Sequence, residues 1–364
     1  MFIFIITLIL ALSFLQWRSR KNGLTGIKYD YRLSKSVLEV DEPVELISTV
    51  TNETRYFIPF IRMVETLPIG AKAVNQSVQI HENTIGLGGW FYNSSLYLMA
   101  RSRLKRKLKL KFTKRGWYVF NGATLHGGDY LGLNTTTENF KLARTVTVYP
   151  QPINSQHLQQ IVGGFLGDVS VRRFIMEDPV LTIGTREYTG REPMKQVSWK
   201  HTARTGQMMV KQFDYTTEMV LTLVLDVEQP AGKMYSKEQF EICYSLTRTV
   251  AQYLDKAKIP FDFTTNAMIA GLSKLESDSK SVSQNLGTAH LRFILEKLGR
   301  GGYGAKESFS ELVSNLQADQ KQRLNHSIII ITPDRDAEKA SLINNLNSET
   351  TSSVLTIYSA DFLD

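Results

Sequence analysis

The sequence predicts an α+β multidomain chain: an N-terminal transmembrane helix, a β-sandwich and a doubly wound α/β domain. Three observations predict it. Met1–Trp17 carries no charged side chain. Residues 28–150 alternate apolar and polar positions between Gly, Pro and Asn turns, with helix signals nearly absent. Beyond residue 219, apolar strand-like runs alternate with helical patterns, the order of a mostly parallel sheet. The chain therefore divides into an anchor (1–21), a sandwich (22–150), a connector (151–218) and an α/β domain (219–364).

Composition narrows the function classes. With 42% apolar and 21% charged residues, the 364-residue chain is in the ordinary globular range, which excludes wholesale disorder and a multi-span membrane protein. The net charge of +8 is too dilute for a dedicated nucleic-acid binder. Cys243 is the sole cysteine, so no intramolecular disulfide framework exists. No two of the six histidines have the i, i+4 spacing of a helical zinc site.

As a helix, Met1–Trp17 would reach about 25 Å, the short limit for a bilayer core. Trp17 stands where an interfacial aromatic belongs, and Arg18, Arg20 and Lys21 follow at once. A secretory signal carries its charge before the apolar run; here it comes after. The positive-inside rule then places the N-terminus outside and the rest within. The expectation is a single-pass cell-membrane protein, its C-terminal domains cytoplasmic, and a lone cysteine suits that reducing compartment.

In the sandwich region, Asp41-Glu42-Pro43 reads as a turn, followed by strand at Val44, Leu46 and Val50. Further strands are expected at Ile58–Leu67, Leu96–Phe112, Trp117–Leu125 and Thr145–Val148. Within Leu96–Phe112, the positions Arg101, Arg103, Lys105, Lys107, Lys109 and Lys111 are all basic. Opposite them fall Leu104, Leu108, Leu110 and Phe112. A period of two sends the sets to opposite faces, one core and one cationic. The cationic face reads either as a solvated surface that discourages edge pairing or as a contact for anionic lipid or an acidic partner. No aromatics interleave the charges, which argues against nucleic acid.

The stretch from Leu181 to Tyr215 is dense in Arg, Glu and aromatics and has no strand period until Gln207–Phe213. Such composition suits an ordered connector held by ion pairs and packed rings, or a partner-binding surface. Arg186, Glu187, Tyr188, Gly190, Trp199, Lys200, Ala203 and Arg204 are its candidate residues. Among them Arg186, Tyr188, Gly190, Trp199, Ala203 and Arg204, with Val197 and Thr202, resemble the signature of a bacterial family, the domain of unknown function 58. Lys114–Phe120 (KRGWYVF) and Gly127–Asn134 (GGDYLGLN) look like the same family upstream. Arg191 and Lys195 depart from it, standing where the family carries Asp and Arg. Lys195 lacks the bidentate fork of a guanidinium.

In the last region, Met219–Leu225 is an apolar run ending in Asp226. A helix is expected over Ser236–Lys258, with Ser236 as cap, then strand at Ile259–Thr265. Helices at Thr288–Leu298, Phe309–Leu316 and Ala337–Leu346 and strands at Ser327–Ile331 and Val354–Tyr358 complete the pattern. Together with the family resemblance, the strand–Asp–helix order resembles a von Willebrand factor A domain. That resemblance implies a metal-ion-dependent adhesion site at Asp226, with Glu228, Thr288 and Asp334 at its other positions. Glu228 and Pro230 stand where two serines are expected, and proline offers no side-chain oxygen. Mg²⁺ needs six oxygens, so the site is degenerate and no cofactor is expected. The plainer alternative for Asp226 is a carboxylate satisfied by backbone N–H groups.

No catalytic constellation is present: Ser198-Trp199-Lys200-His201 does not match a Ser-x-x-Lys pattern. The expectation is a non-enzymatic, membrane-anchored interaction protein. Through the family resemblance its protein partner would be a MoxR-type AAA+ ATPase, in assembly or chaperone-like work. Two alternatives stand beside it. One is a metal-dependent hydrolase using Asp226, Glu228 and Asp334. The other is an exported adhesion module that exposes the Asn52-Glu53-Thr54 sequon.

Overall fold

The computed structural model describes residues 6–7, 24–75, 80–83, 89–128, 135–175, 182–213, 220–230, 232–271, 281–320, 326–349 and 353–363. It divides into two compact units. One runs to Gln151 and includes Leu295–Gly301; the other comprises Pro152–Ile294 and Gly302–Asp364.

The first unit is built from β1 (Ile27–Leu33), β2 (Val37–Leu38), β3 (Val44–Asn52), β4 (Ile58–Leu67), β5 (Ala71–Ala73), β6 (His81–Asn83), β7 (Gly89–Leu98), β8 (Arg103–Phe112), β9 (Gly116–Gly128) and β10 (Thr135–Val148). Its sheets have the orders β1-β3-β8-β5 and β2-β10-β9-β4-β7-β6. Alternation sets their inner faces. In β3, Val44, Leu46, Ser48, Val50 and Asn52 are buried while the residues between them are not. Val44, Leu46 and Val50 join Tyr29, Ile61, Met63, Leu110, Phe112, Phe120 and Val146 in one core.

Leu96–Phe112 is not one strand. The chain turns between Leu98 and Arg103, and Arg101 adopts a left-handed φ of 49°. Arg101 thus belongs to the turn, not to the cationic face. At the β9–β10 bulge, Gly122 has φ +98°, and a Cβ there would lie 2.0 Å from the Phe140 carbonyl oxygen. Only glycine fits that approach.

The second unit opens with α1 (Gln156–Ile175), a 20-residue helix in a stretch whose sequence carried no helical reading. β11 (Thr182–Glu187), α2 (Trp199–Thr205) and β12 (Met209–Phe213) follow, with β11 and β12 antiparallel. Along the chain then come β13 (Val220–Leu225), α3 (Lys237–Lys256), β14 (Phe261–Thr265), β15 (Ala267–Ile269), β16 (Ser281–Asn285), α4 (Thr288–Arg300), β17 (Gly301–Ala305), α5 (Phe309–Gln320), β18 (His326–Thr332), α6 (Ala337–Glu349) and β19 (Val354–Tyr358), of which Leu295–Gly301 are the residues counted with the first unit.

The sheet order is β16-β14-β13-β18-β19, parallel except for β16. Ile328, Ile329, Ile330 and Ile331 are all fully buried, as a strand covered on both faces requires. Val224, Ile328 and Ile330 pack with Phe309, Leu312 and Leu316 of α5 and Ile343 and Leu346 of α6. The Ser236 hydroxyl accepts from Gln239 N–H, whose side chain reaches back to the Ser236 N–H, a capping box that starts α3.

The expected fold class needs correction. Among the described residues no helix is long and apolar enough to cross a membrane, and of Met1–Lys21 only Ile6 and Thr7 are described. The expected transmembrane helix over Met1–Trp17, which lies almost wholly outside the described residues, is therefore not supported. The chain is instead sheet-rich, with five sheets among the described residues.

Candidate functional site

Reading β13, β14, β16, β18 and β19 as strands one to five, the sheet order is 3-2-1-4-5, and the order reverses between β13 and β18. Ligands of such sheets sit beyond the carboxyl ends at that switch point. Asp226 is the first residue past β13, and its N–H bonds the Ile331 carbonyl at 2.8 Å. The side chain is fully buried.

All of its acceptor capacity is taken by the protein. Oδ1 accepts from Asn266 Nδ2 at 2.7 Å and from Glu228 N–H at 2.9 Å. Oδ2 accepts from Thr332 Oγ1 at 2.8 Å and from the Lys339 ammonium at 2.5 Å. Lys339 is itself buried, with its side chain 5% exposed. It also donates to the Glu228 carbonyl at 3.1 Å and lies 5.3 Å from the centre of the Phe309 ring. The seat that a metal ion would fill beside this carboxylate holds a tethered cation.

The other expected metal-site residues are elsewhere. Glu228 turns its carboxylate to the Phe309 N–H at 2.9 Å, capping the positive end of α5. Asp334 pairs with Lys233 at 3.6 Å, and the same lysine lies 3.2 Å from Asp336. Lys233 and the backbone of α6 hold the Asp336 carboxyl below its usual range. Thr288 is exposed at the start of α4 and takes no part in the bonds about Asp226. Among the described residues no group of three or more His, Cys, Asp or Glu is placed to hold a metal. The ligand set thus does not fit Mg²⁺. Beside Asp226 a cleft of about 450 Å³ opens between Val227–Gln229 and Tyr303–Ser308 with Glu311.

Lys339, Asn266 and Thr332 belong to no sequence motif that marks them as partners of Asp226. The signal for Lys339 is present all the same: three, four and seven residues before Leu342, Ile343 and Leu346, it lies on their apolar stripe. A charge on such a stripe calls for a buried partner.

In the connector motif, Arg186 pairs with Glu192 at 2.6 Å, not with Glu187, which is exposed. The Thr189 hydroxyl and Arg186 hold the Glu192 carboxyl down at about 2. Val197 is buried and bridges to Val210. The Ser198 hydroxyl bonds His201 Nδ1 at 3.0 Å. Trp199 is 63% exposed, so it is not one of the packed rings expected of a connector. Lys200, Ala203 and Arg204 are exposed with it, as is Gly190, while Tyr188 is half-buried.

On the sandwich, β8 lies between β3 and β5, and its cations meet acids. Glu45 lies 3.3 Å from Lys107 and 3.8 Å from Lys109, and Asp41 lies 3.5 Å from Lys111. Arg103 donates to Thr51 Oγ1 at 3.3 Å. The even position Arg106 breaks the pattern: it turns toward the core and donates to Tyr92 Oη at 2.7 Å. Across from it Glu65 is buried, accepting from Tyr29 Oη at 2.9 Å and from Ser48 Oγ. Asn52 is buried too. It donates to the Tyr56 and Met99 carbonyls and accepts from Thr54, so the sequon is not displayed.

No protein-family profile matches the chain. It is 23% identical over 281 residues to the uncharacterized protein YeaD of Bacillus subtilis strain 168. That alignment covers 76% of this chain and 62% of the relative, so the chain spans about three-fifths of that protein's length. Solved structures that resemble part of it include a CARDB domain of Pyrococcus furiosus with di-metal ions, at 14% identity and a TM-score of 0.23. Another is a cohesin module from a family 33 glycoside hydrolase of Clostridium perfringens, at 16% and 0.22. Each covers 34% of this chain, and 91% and 97% of the respective structures. Scores so low carry no argument about fold or function.

Proposed function

We propose that the chain is a non-enzymatic interaction protein working beside a MoxR-type AAA+ ATPase in assembly or chaperone-like processes. The observation that carries the first part is the Lys339 ammonium on the Asp226 carboxylate. A hydrolase using this aspartate would need its oxygens for a metal or a water. Four donors from the chain already take them, and the ammonium is tied to the adjoining loop through the Glu228 carbonyl. A buried, satisfied pair is a structural element with nothing left to offer a substrate. The partner class rests on the resemblance of Arg186–Arg204 to the domain of unknown function 58.

Location in the cytoplasm belongs to the same proposal, supported by the lone, buried Cys243. An anionic-lipid contact through β8 is less favoured, because Glu45 and Asp41 lie among its cations. The test is reconstitution. Purified full-length chain mixed with a purified MoxR-type ATPase from the same genome should co-elute in size exclusion, with an ATP-dependent change in the complex. Absence of any association, or turnover of a hydrolase substrate that Asp226→Asn abolishes, would overturn the proposal.

A further inference from the structure

We infer that the exposed face of α2, centred on Trp199, docks an acidic segment of a partner protein. The inference rests on the adaptor reading above and names the chemistry its partner must have. α2 has seven residues and none of them is buried. A helix so short does not hold by itself. Its surroundings hold it. Gly206, at φ 72°, ends it with an N–H bond to the Thr202 carbonyl at 3.0 Å. Met209 N–H donates to Thr202 Oγ1 at 3.0 Å, and Ser198 bonds His201 at its start. The Arg186–Glu192 pair and the Val197–Val210 bridge fix the adjoining ribbon. The scaffold is ordered, yet it leaves an indole in water.

Trp199 is 63% exposed, Met194 55% and Met208 37%. Trp, Met and Arg are the side chains enriched at protein interfaces, and a rigid indole is a common anchor. On α2, Trp199 and Ala203 form one i, i+4 stripe, and Lys200 and Arg204 the next. Arg191 and Lys195 are exposed as well, against Glu187. Glu192 is taken by Arg186. An exposed indole with Lys200 and Arg204 on the neighbouring stripe of the same short helix is complementary to a pocket bordered by carboxylates. Single-stranded nucleic acid would need successive rings on which bases stack. A bilayer would need a longer apolar helix face.

The experiment is fluorescence anisotropy of a labelled random Glu/Tyr copolymer titrated with the full chain. Trp199→Ala should weaken binding by about tenfold or more. Arg204→Glu should do the same by charge, while Lys107→Glu on β8 stays within about twofold of wild type. Because these side chains are exposed, thermal midpoints should not move, which keeps loss of binding separate from loss of fold. Copolymer affinity unchanged in Trp199→Ala would overturn the inference. So would tighter, Trp199-dependent binding to oligo-dT or to phosphatidylglycerol vesicles. The ATPase mixture separates the two claims. If the copolymer binds through Trp199 but the ATPase does not associate, the face stands and the named partner falls. If the ATPase and the copolymer bind wild type and Trp199→Ala alike, the face falls and the adaptor reading stands.

Discussion

Replacing Lys339 by Met removes the ammonium, with its place 5.3 Å from the Phe309 ring centre, and keeps a side chain of similar length. Asp226 then remains fully buried with three donors: Asn266, the Glu228 N–H and Thr332. Breaking one side of a buried ion pair costs about 3–5 kcal/mol. Three surviving bonds place Lys339→Met at the lower end, about 3 kcal/mol. Asp226→Asn is the harsher change. It leaves a buried ammonium with the Glu228 carbonyl at 3.1 Å, and about 5 kcal/mol is expected. In the double variant no bare charge is left, so its cost should fall short of the sum by about 2–3 kcal/mol. Native-state hydrogen exchange at the β13 and β18 amides is the suitable assay, because it follows the second unit without assuming that both units unfold together. Additive costs, or two single variants within about 1 kcal/mol of wild type, would refute the reading that the two charges share one dry seat.

Burial raises the Glu65 carboxyl above its ordinary range, opposed by bonds from Ser48 and Tyr29 and by Arg106. The folded chain then keeps a proton that the unfolded chain has released. That stability is full below the ordinary value of about 4.3 and is lost as pH rises through the raised one. Glu65→Gln should remove this fall in thermal midpoint; parallel pH profiles for the two proteins would contradict it. Burial pushes the Cys243 thiol up to about 12, so native protein should stay unmodified by an aromatic disulfide reagent at pH 8 and react fully once unfolded. Gly122→Ala forces a Cβ to 2.0 Å from a backbone oxygen at positive φ and should lower stability by about 1–3 kcal/mol in a thermal melt, more than Gly164→Ala, where a Cβ meets nothing within 4 Å. Asn52→Ala removes the amide that donates to both the Tyr56 and the Met99 carbonyls and accepts from Thr54, and should cost about 1–3 kcal/mol by the same measure.

Local periodicity made much of the fold legible. The alternation in β3 and the apolar run of β18 name their own buried faces, and the capping Ser236 marks where α3 begins. What stayed hidden has specific causes. The break between β7 and β8 falls at Arg101, a residue type that seldom takes a positive φ, so no Gly or Asn announced the turn. α1 carries no clear amphipathic stripe across QHLQQIVGGFLGDVSVRRFI, and its glycines argue against a helix although one forms. Arg106 interrupts the apolar face of β8 and looks like one more surface cation, until Tyr92 and Glu65 are placed across from it.

The candidate site was half legible for a reason that runs through the whole second unit. Asp226 announces itself, because a carboxylate at the end of an apolar strand sits where a wound sheet gathers its ligands. The departure from serine at Glu228 and Pro230 is visible too, and the proline, which offers no side-chain oxygen, points to a degenerate metal site. Lys339, 113 residues away, changes what that deficiency means. A seat with a permanent ammonium beside it has no need of a full set of hard oxygen donors, and Thr332 and Asn266 serve the aspartate instead. Sequence spacing shows the loss of ligands but not the gain of a counter-charge, since the partner arrives on a helix that only the sheet order brings to Asp226. A metal in that position is held only as tightly as its concentration and pH allow, whereas a lysine on α6 is always present. That permanence supports the interaction role proposed above, since a hydrolytic metal would have to displace the ammonium to reach Asp226.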